Sequence, residues 1–65
     1  MITVQDIFEI NPQQTRYNII TDTDVEPIWN GTELQQCKYR QNEVAYMRCV
    51  DNPYQDGFIE LKINL

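Results

Sequence analysis

Four carboxylates between residues 22 and 33 have the types and spacing to do chemistry. Counted from Asp22 as the first position of a twelve-residue calcium loop, the other three fall where such a loop places oxygen ligands: Asp24, Glu26 and Glu33. The sixth position of that loop must be glycine because the backbone turns sharply there, whereas this chain has Pro27. The pattern therefore favours a solvated turn without a metal ion. Binding of a metal ion or a small ligand by the same acids is the alternative.

Recognisable catalytic groups are missing from the rest of the sequence. The chain has no histidine to act as a base for a serine or cysteine nucleophile, and its two glycines form no phosphate-cradling pattern. Paired carboxylates need a concave pocket for acid–base catalysis, and a chain of 65 residues can scarcely enclose one. We therefore expect that the protein is not an enzyme and uses no cofactor.

The N-terminal sequence and the cysteines indicate the compartment. The opening residues MITVQDIFEI lack a basic region and an apolar run of secretory length, and no stretch is long enough to span a membrane. We therefore expect a cytoplasmic protein without a membrane partner. Cys37 and Cys49 are expected to be free thiols, with Cys49 the more buried. Zinc binding is not expected either, because two thiolates lack further Cys or any His to complete a tetrahedral site.

Net charge narrows the class of partner. Ten acidic residues against five basic ones give a formal net charge of −5 at pH 7. Direct nucleic-acid binding is not expected, because phosphate contacts need clustered Lys and Arg. A protein with a basic surface is the natural partner, and the alternative is that the charge only keeps the domain soluble. With 42% hydrophobic residues, the chain has the composition of one packed domain over residues 1–65.

The N-terminal residues predict a short helix. Thr3 can cap it, Asp6 lies at the third helical position to return the capping bond, and Pro12 disfavours its continuation. The helix is therefore expected over about residues 4–10. Its apolar residues form one stripe that a sheet must cover: Val4, Ile7 and Phe8.

Four segments have the composition of β-strands. They are TRYNIIT (15–21), VEPIWNG (25–31), VAYMRCV (44–50) and FIELKINL (58–65). Pro27 restricts the second to a sheet edge, and a hairpin with the first is expected around residues 22–24. The third resembles a central strand. The last alternates regularly, with its apolar side chains pointing inward: Ile59, Leu61, Ile63 and Leu65.

The order of these elements predicts the fold class. A helical turn over about residues 33–37 separates the second strand from the third. We expect an α+β fold with one mostly antiparallel four-stranded sheet and the short N-terminal helix packed on one face.

Aromatic residues offer a second candidate contact surface. Tyr39 and Tyr54 lie in polar segments, where we expect them to be exposed and to form a contact patch with Arg40. Trp29 and Tyr46 are either core residues or interface anchors, and the core is favoured.

The order of motifs also resembles a known group of proteins. TVQDIFEINPQQTRYNIIT, an acidic turn, IWNG, EVAYM and FIELKI are similar to segments of small uncharacterised proteins encoded by phages and prophages of Gram-positive and gut bacteria. Those proteins have a Thr-capped helix, a Pro-containing loop and a strand that ends in acids. The resemblance implies a phage context in the cytoplasm of a bacterial host, where many small acidic proteins bind and block a bacterial protein.

These expectations describe a non-enzymatic protein-interaction module of phage type that binds, and inhibits or regulates, a bacterial protein. An anti-defence or anti-CRISPR-like inhibitor is one form, because acids on a rigid surface can imitate nucleic-acid phosphates. A small structural component of a virion is a further alternative. Unpaired sheet edges would also allow a homodimer. The candidate partner-binding residues are Asp22, Asp24, Glu26, Tyr39, Arg40 and Tyr54.

Overall fold

The structure, a computed structural model, describes residues 1–23 and 25–65. Its elements are α1 (Val4–Ile10), β1 (Tyr17–Ile20), β2 (Trp29–Gly31), a 3₁₀ turn η1 (Leu34–Gln36), β3 (Val44–Val50) and β4 (Phe58–Ile63). The helix and the third strand have the predicted bounds, and η1 lies within the predicted helical turn. Within the described residues, no helix has the length and apolar character needed to cross a bilayer.

Helix α1 begins at the predicted capping box. The hydroxyl of Thr3 accepts from the N–H of Asp6 at 3.3 Å, and the carboxylate of Asp6 accepts from the N–H of Thr3 at 2.9 Å. These bonds satisfy donors that a helix N-terminus would otherwise leave without partners. The N–H of Val4 donates to the C=O of Asn42 at 3.0 Å, which ties the start of the helix to the segment before β3.

The four strands form one mixed sheet in the order β2-β1-β4-β3. Strand β1 pairs antiparallel with β2 and parallel with β4, and β4 pairs antiparallel with β3. The prediction of a mostly antiparallel sheet is therefore wrong, because β4 inserts beside β1 in the same direction. The α+β class, the four strands and the short helix are confirmed, as is the edge position of β2.

Strand β4 occupies an interior position because its apolar face is the most regular in the chain. Ile59, Leu61 and Ile63 are at most 1% exposed. The parallel register sets Ile59 beside Tyr17 and Leu61 beside Ile19, so two buried rows meet on one face. Leu65, which was predicted to point inward, lies beyond the end of β4 and is 78% exposed.

Helix α1 covers the face of the sheet on which Tyr17 and Leu61 lie, here called the inner face. The buried core consists of Val4, Ile7, Tyr17, Ile19, Cys37, Ile59, Leu61 and Ile63, with Phe8, Ile28, Trp29, Tyr39 and Val44 packed against it. A helix of seven residues is too short to cover the inner face as far as the edge strand. Met47 on β3, the register partner of Leu61, is therefore 47% exposed.

Strand β3 lies at a sheet edge and not at the predicted central position. Its five residues between Val44 and Val50 are all exposed. A register shift between Val44 and Tyr46 marks a β-bulge. Beyond the bulge, Tyr46 lies on the outer face, opposite α1, and is 43% exposed. The prediction that Tyr46 belongs to the core is wrong for this reason.

The two thiols are buried in the reverse of the expected order. Cys37 is 2% exposed and packs in the core, and Cys49 is exposed; both are free. Cys37 follows η1, and its N–H donates to the C=O of Leu34 at 3.0 Å, which turns the side chain inward. Cys49 belongs to the edge strand, beyond the cover of the helix.

Candidate functional site

A groove of about 770 Å³ lies between the end of α1 and the turn η1. Among the described residues it is lined by residues 8, 9, 11–14, 17 and 32–35. We call it the acidic groove, because the charged side chains in this lining are the carboxylates Glu9 and Glu33. A second concavity, of about 460 Å³, is lined by residues 25–28 and is smaller.

Hydrogen bonds hold the loop that forms one side of the groove. The side-chain amide of Asn11 donates to the C=O of Ile7 at 2.8 Å, and its Oδ1 accepts from the hydroxyl of Tyr54 at 2.9 Å. The N–H of Thr15 donates to the C=O of Pro12 at 3.0 Å. Asn11 therefore joins this loop both to the helix and to the turn before β4.

The turn η1 forms the other side of the groove. The N–H of Gln36 donates to the C=O of Glu33 at 3.1 Å, and the side-chain amide of Gln36 donates to the Glu33 carboxylate at 3.3 Å. The buried Cys37 that follows fixes this turn to the core. Both sides of the groove thus rest on packed elements.

Two aromatic rings connect the groove to the core. The rings of Phe8 and Tyr17 stack with centroids 3.9 Å apart, and Trp29 lies 6.0 Å from Phe8.

The hydroxyls of Tyr17 and Thr15 are buried without a hydrogen-bond partner among the described residues. Burial raises the pKa of Tyr17, and the nearby polar side chain of Asn11 acts in the opposite direction. Tyr17 therefore keeps its proton at neutral pH.

The groove combines negative charge with amide groups. Glu9 and Glu33 are exposed, and the described lining contains no Lys or Arg. The amide side chains of the lining offer both donors and acceptors: Asn11, Gln13, Gln14 and Gln35. Such a surface can attract a cationic group and hydrogen-bond an extended backbone.

The predicted acidic turn does not gather its carboxylates into one site in the described chain. Asp22 forms an ion pair with Lys62 of β4, and Glu26 is exposed beside Pro27. Glu33 lies in the acidic groove. Asp24 falls outside the described residues. No cluster of three potential metal ligands is found within residues 1–23 and 25–65.

The predicted aromatic patch is divided between the two ends of α1. The C=O of Arg40 accepts from the N–H of Gln5 near the start of the helix. Tyr54 contacts Asn11 at the end of the helix and is 59% exposed, as predicted. Tyr39 was predicted to be exposed, but it is half-buried because its ring packs against the core.

The outer face of the sheet has a network of paired charges. Glu60 accepts from Arg48 Nε at 3.2 Å and from the hydroxyl of Tyr46 at 3.2 Å. Lys62 pairs with Asp22, and its Nζ lies 5.6 Å from the centroid of the Tyr46 ring. Hydrogen bonding to Glu60 raises the pKa of Arg48, and hydrogen bonding to Asp22 raises that of Lys62. Arg48 and Lys62 are therefore each paired with a carboxylate.

The acidic groove was not among the sites predicted from the sequence. Its two sides come from the segments NPQQT and TELQQ, which are separated along the chain by β1 and β2. Each contains a Gln-Gln pair, and Glu9 precedes the first while Glu33 lies in the second. This repeated composition was the available signal, but only the tertiary structure brings the two segments together.

Comparison of the chain with protein-family models, with curated proteins and with solved structures found no match.

Proposed function

We propose that this chain is a non-enzymatic protein-interaction module of phage type, which binds a bacterial protein and inhibits or regulates it. The acidic groove is the site that takes a basic, extended segment of that protein. The observation that carries this proposal is a groove with two exposed carboxylates and four amide side chains, and no basic residue in its described lining.

Charge supports the choice of a basic segment. Glu9 and Glu33 attract a Lys or Arg side chain at short range, and the net charge of −5 adds attraction at longer range. Because exposed ion pairs contribute little affinity, these charges chiefly set specificity and the association rate.

Apolar and amide groups supply the remaining contacts. Phe8, Pro12 and Leu34 line the groove and can pack against the methylene groups of a Lys or Arg side chain. The amides of Gln13 and Gln14 can donate to and accept from the backbone of an extended segment. Because packed elements already shape the groove, binding need not order the groove itself, which lowers the entropic cost of association.

The phage context and the inhibitory role rest on the resemblance in the order of motifs and on the small, acidic character of the chain. An inhibitor of this kind needs a rigid recognition surface and no catalytic groups. The bacterial cytoplasm is the location that follows from this context.

The test begins with a pull-down from a bacterial lysate, followed by tiled peptides of the captured protein. Binding of each peptide is measured by fluorescence anisotropy, and by the emission of Trp29, which lies next to Phe8. We expect the binding peptides to contain Lys or Arg, and their Gln-substituted analogues to bind about two- to tenfold more weakly, because each exposed ion pair contributes about 0.2–1 kcal/mol.

Charge-matched variants locate the site. Glu9→Lys together with Glu33→Lys should weaken peptide binding, whereas Glu43→Lys together with Asp56→Lys changes the net charge equally at exposed positions away from the groove. Equal loss in both double variants would show that only the overall charge matters, and the groove would be rejected as the site. Charge reversal at Asp22, Asp24 and Glu26 tests the acidic turn in the same assay.

A further inference from the structure

Strand β4 directs alternate backbone groups to its two neighbours. The N–H of Ile59 donates to the C=O of Arg16 at 2.9 Å, so the backbone groups of Ile59 point to the side of β1. Because these groups alternate along a strand, those of Glu60 point to β3. Glu60 and Arg48 are register partners, and the backbone groups of Arg48 therefore point to β4.

The backbone groups of Met47 and Cys49, on either side of Arg48, consequently point away from the sheet. The N-terminal segment meets this side of β3 at its start, where the N–H of Val44 donates to the C=O of Ile2 at 2.8 Å. Within residues 1–23 and 25–65, the structure gives Met47 and Cys49 no backbone partner on this side. Their N–H and C=O groups are available to another strand.

The opposite edge of the sheet is protected. Strand β2 has only three residues, ends at Gly31 and follows Pro27, which has no N–H to offer to a ladder. Strand β3 has seven residues, and its single charged side chain is Arg48. Strand β3 is therefore the longer and less protected edge, and its bulge lies near its start, before Met47.

We propose that β3 pairs with β3 of a second copy of this chain, antiparallel about a two-fold axis at Arg48. In this register the N–H and C=O of Met47 form hydrogen bonds with the C=O and N–H of Cys49 in the second copy. By symmetry, Cys49 of the first copy bonds with Met47 of the second. The outward-pointing backbone groups of both residues are then satisfied. The two four-stranded sheets become one continuous sheet. This pairing uses a surface other than the acidic groove and does not depend on the proposed function.

The side chains of β3 are complementary to themselves in this register. On the inner face, Met47 meets Cys49 of the second copy, and both side chains are exposed in the single chain. On the outer face, Tyr46 meets Val50 of the second copy, a favourable pairing of an aromatic and a β-branched residue. The seam thus covers the apolar part of the inner face that α1 leaves open.

The two Arg48 side chains face each other across the axis, an arrangement that like charges disfavour. Each guanidinium is already held by its own chain, with Nε 3.2 Å from Glu60 Oε1 and Nη2 3.3 Å from Glu60 Oε2. The Glu60 carboxylates therefore offset the repulsion. Glu60 acts as a positioning and neutralising residue for the seam.

Self-association is measured by light scattering and sedimentation equilibrium from micromolar to millimolar chain concentration. We expect the mass to rise from one chain to two and then to stay constant, because a two-fold pair is closed. Met47→Lys places a charge in the seam and should abolish the dimer. Ile10→Lys, an equal charge change at a residue that is 76% exposed on α1, should leave it intact. Circular dichroism checks that both variants are folded.

The register is tested with Met47→Cys in the chain that keeps Cys49. A mild oxidant takes up two electrons and two protons from each pair of thiols, and a disulfide should join position 47 of one copy to Cys49 of the other. Trypsin cleaves after Arg48 and separates these positions, so mass spectrometry of the linked peptides identifies them. Links of position 47 to itself, or of Cys49 to itself, would overturn the register.

Charge variants test the part played by Glu60. Glu60→Gln should weaken dimerisation at least about tenfold, and adding Arg48→Gln to the same chain should restore it. A chain that stays monomeric at every concentration would overturn the pairing itself. If the Met47→Lys variant dimerised as strongly as the parent chain, the contact between copies would lie elsewhere, and the β3 pairing would likewise be overturned.

Discussion

The ring of Phe8 on α1 stacks on the ring of Tyr17 on β1, with centroids 3.9 Å apart and planes inclined by 19°. Tyr17 is 1% exposed and Phe8 is half-buried, and both residues line the acidic groove. This contact joins the helix to the sheet and gives the groove its aromatic part. The stability of the domain and the shape of its candidate site therefore depend on the same pair.

Replacement of Phe8 tests this dependence. Phe8→Ala removes the stacked ring and should lower the free energy of unfolding by about 2–4 kcal/mol, toward the lower end of the range for aromatic truncation because the ring is only half-buried. Urea unfolding followed by circular dichroism measures the change. Ile10→Ala, on the exposed side of the same helix, should change it by less than about 0.5 kcal/mol. Similar losses in the two variants would contradict the assigned role of the stack.

Gly57 is required by a close approach of the backbone. A Cβ added there would lie 2.0 Å from the C=O oxygen of Val50 and 2.9 Å from backbone atoms of Asn52, and backbone atoms cannot move aside as a side chain can. Gly57→Ala should therefore cost about 1–3 kcal/mol or more. Asp56→Ala at the neighbouring exposed position is the control for thermal unfolding. An unchanged melting temperature in Gly57→Ala would show that the turn relaxes freely.

The free energy of unfolding should fall at alkaline pH, because two buried groups resist losing their protons in the folded protein. Burial raises the pKa of the Tyr17 hydroxyl and that of the Cys37 thiol in the folded protein. The unfolded chain loses these protons at ordinary values, about 8.5 for cysteine and about 10 for tyrosine, while the folded chain retains them. The unfolded state then binds fewer protons, so the free energy of unfolding decreases as the pH rises through these values.

Two substitutions separate the contributions of the Cys37 thiol and the Tyr17 hydroxyl to the loss of stability at alkaline pH. Cys37→Ala should flatten the dependence of stability on pH above about 8.5, and Tyr17→Phe should flatten it above about 10. Urea unfolding at a series of pH values gives both slopes. Cys49→Ala removes an exposed thiol and should keep the slope of the parent chain. A Cys37→Ala slope equal to that of the parent would show that this thiol does not contribute.

Calcium binding by the acidic turn is tested by calorimetric titration. We expect no saturable heat at millimolar calcium, because Pro27 occupies the position where a calcium loop needs glycine and Asp22 is paired with Lys62. Lys62→Met frees Asp22 and should still show no binding. Saturable binding that is lost on Asp22→Asn would instead support the metal-ion alternative.

Local signals in the sequence were sufficient for the ends of α1 and for the strand character of β3 and β4. The capping box of Thr3 and Asp6 and the early Pro12 act within a few residues, so they have the same effect in the folded chain as in the sequence. The alternation of β4 likewise identified Ile59, Leu61 and Ile63 as buried. It extended one step too far at Leu65, because the strand ends before that residue.

The order and direction of the strands could not be predicted in this way. Apolar composition on both faces of VAYMRCV indicated a central strand, yet β3 lies at the edge of the sheet, and the one short helix leaves its residues between Val44 and Val50 exposed. Tyr46 and Cys49 are exposed for the same reason, and Cys37 is buried because η1 turns it inward. Each of these outcomes depends on which elements pack together in the folded chain, and the residues of a single segment do not specify its neighbours.

By itself, the sequence determined the chemical character of this protein: acidic, without histidine, with one capped helix and four segments of strand composition. Only the tertiary structure decided that β4 runs parallel to β1 and that β3 forms the open edge. It also brought Glu9 and Glu33 to one groove. The physical reason is that capping and alternation act between residues close in the chain. Sheet order is instead set by the burial of apolar faces against one another, which involves the whole chain at once.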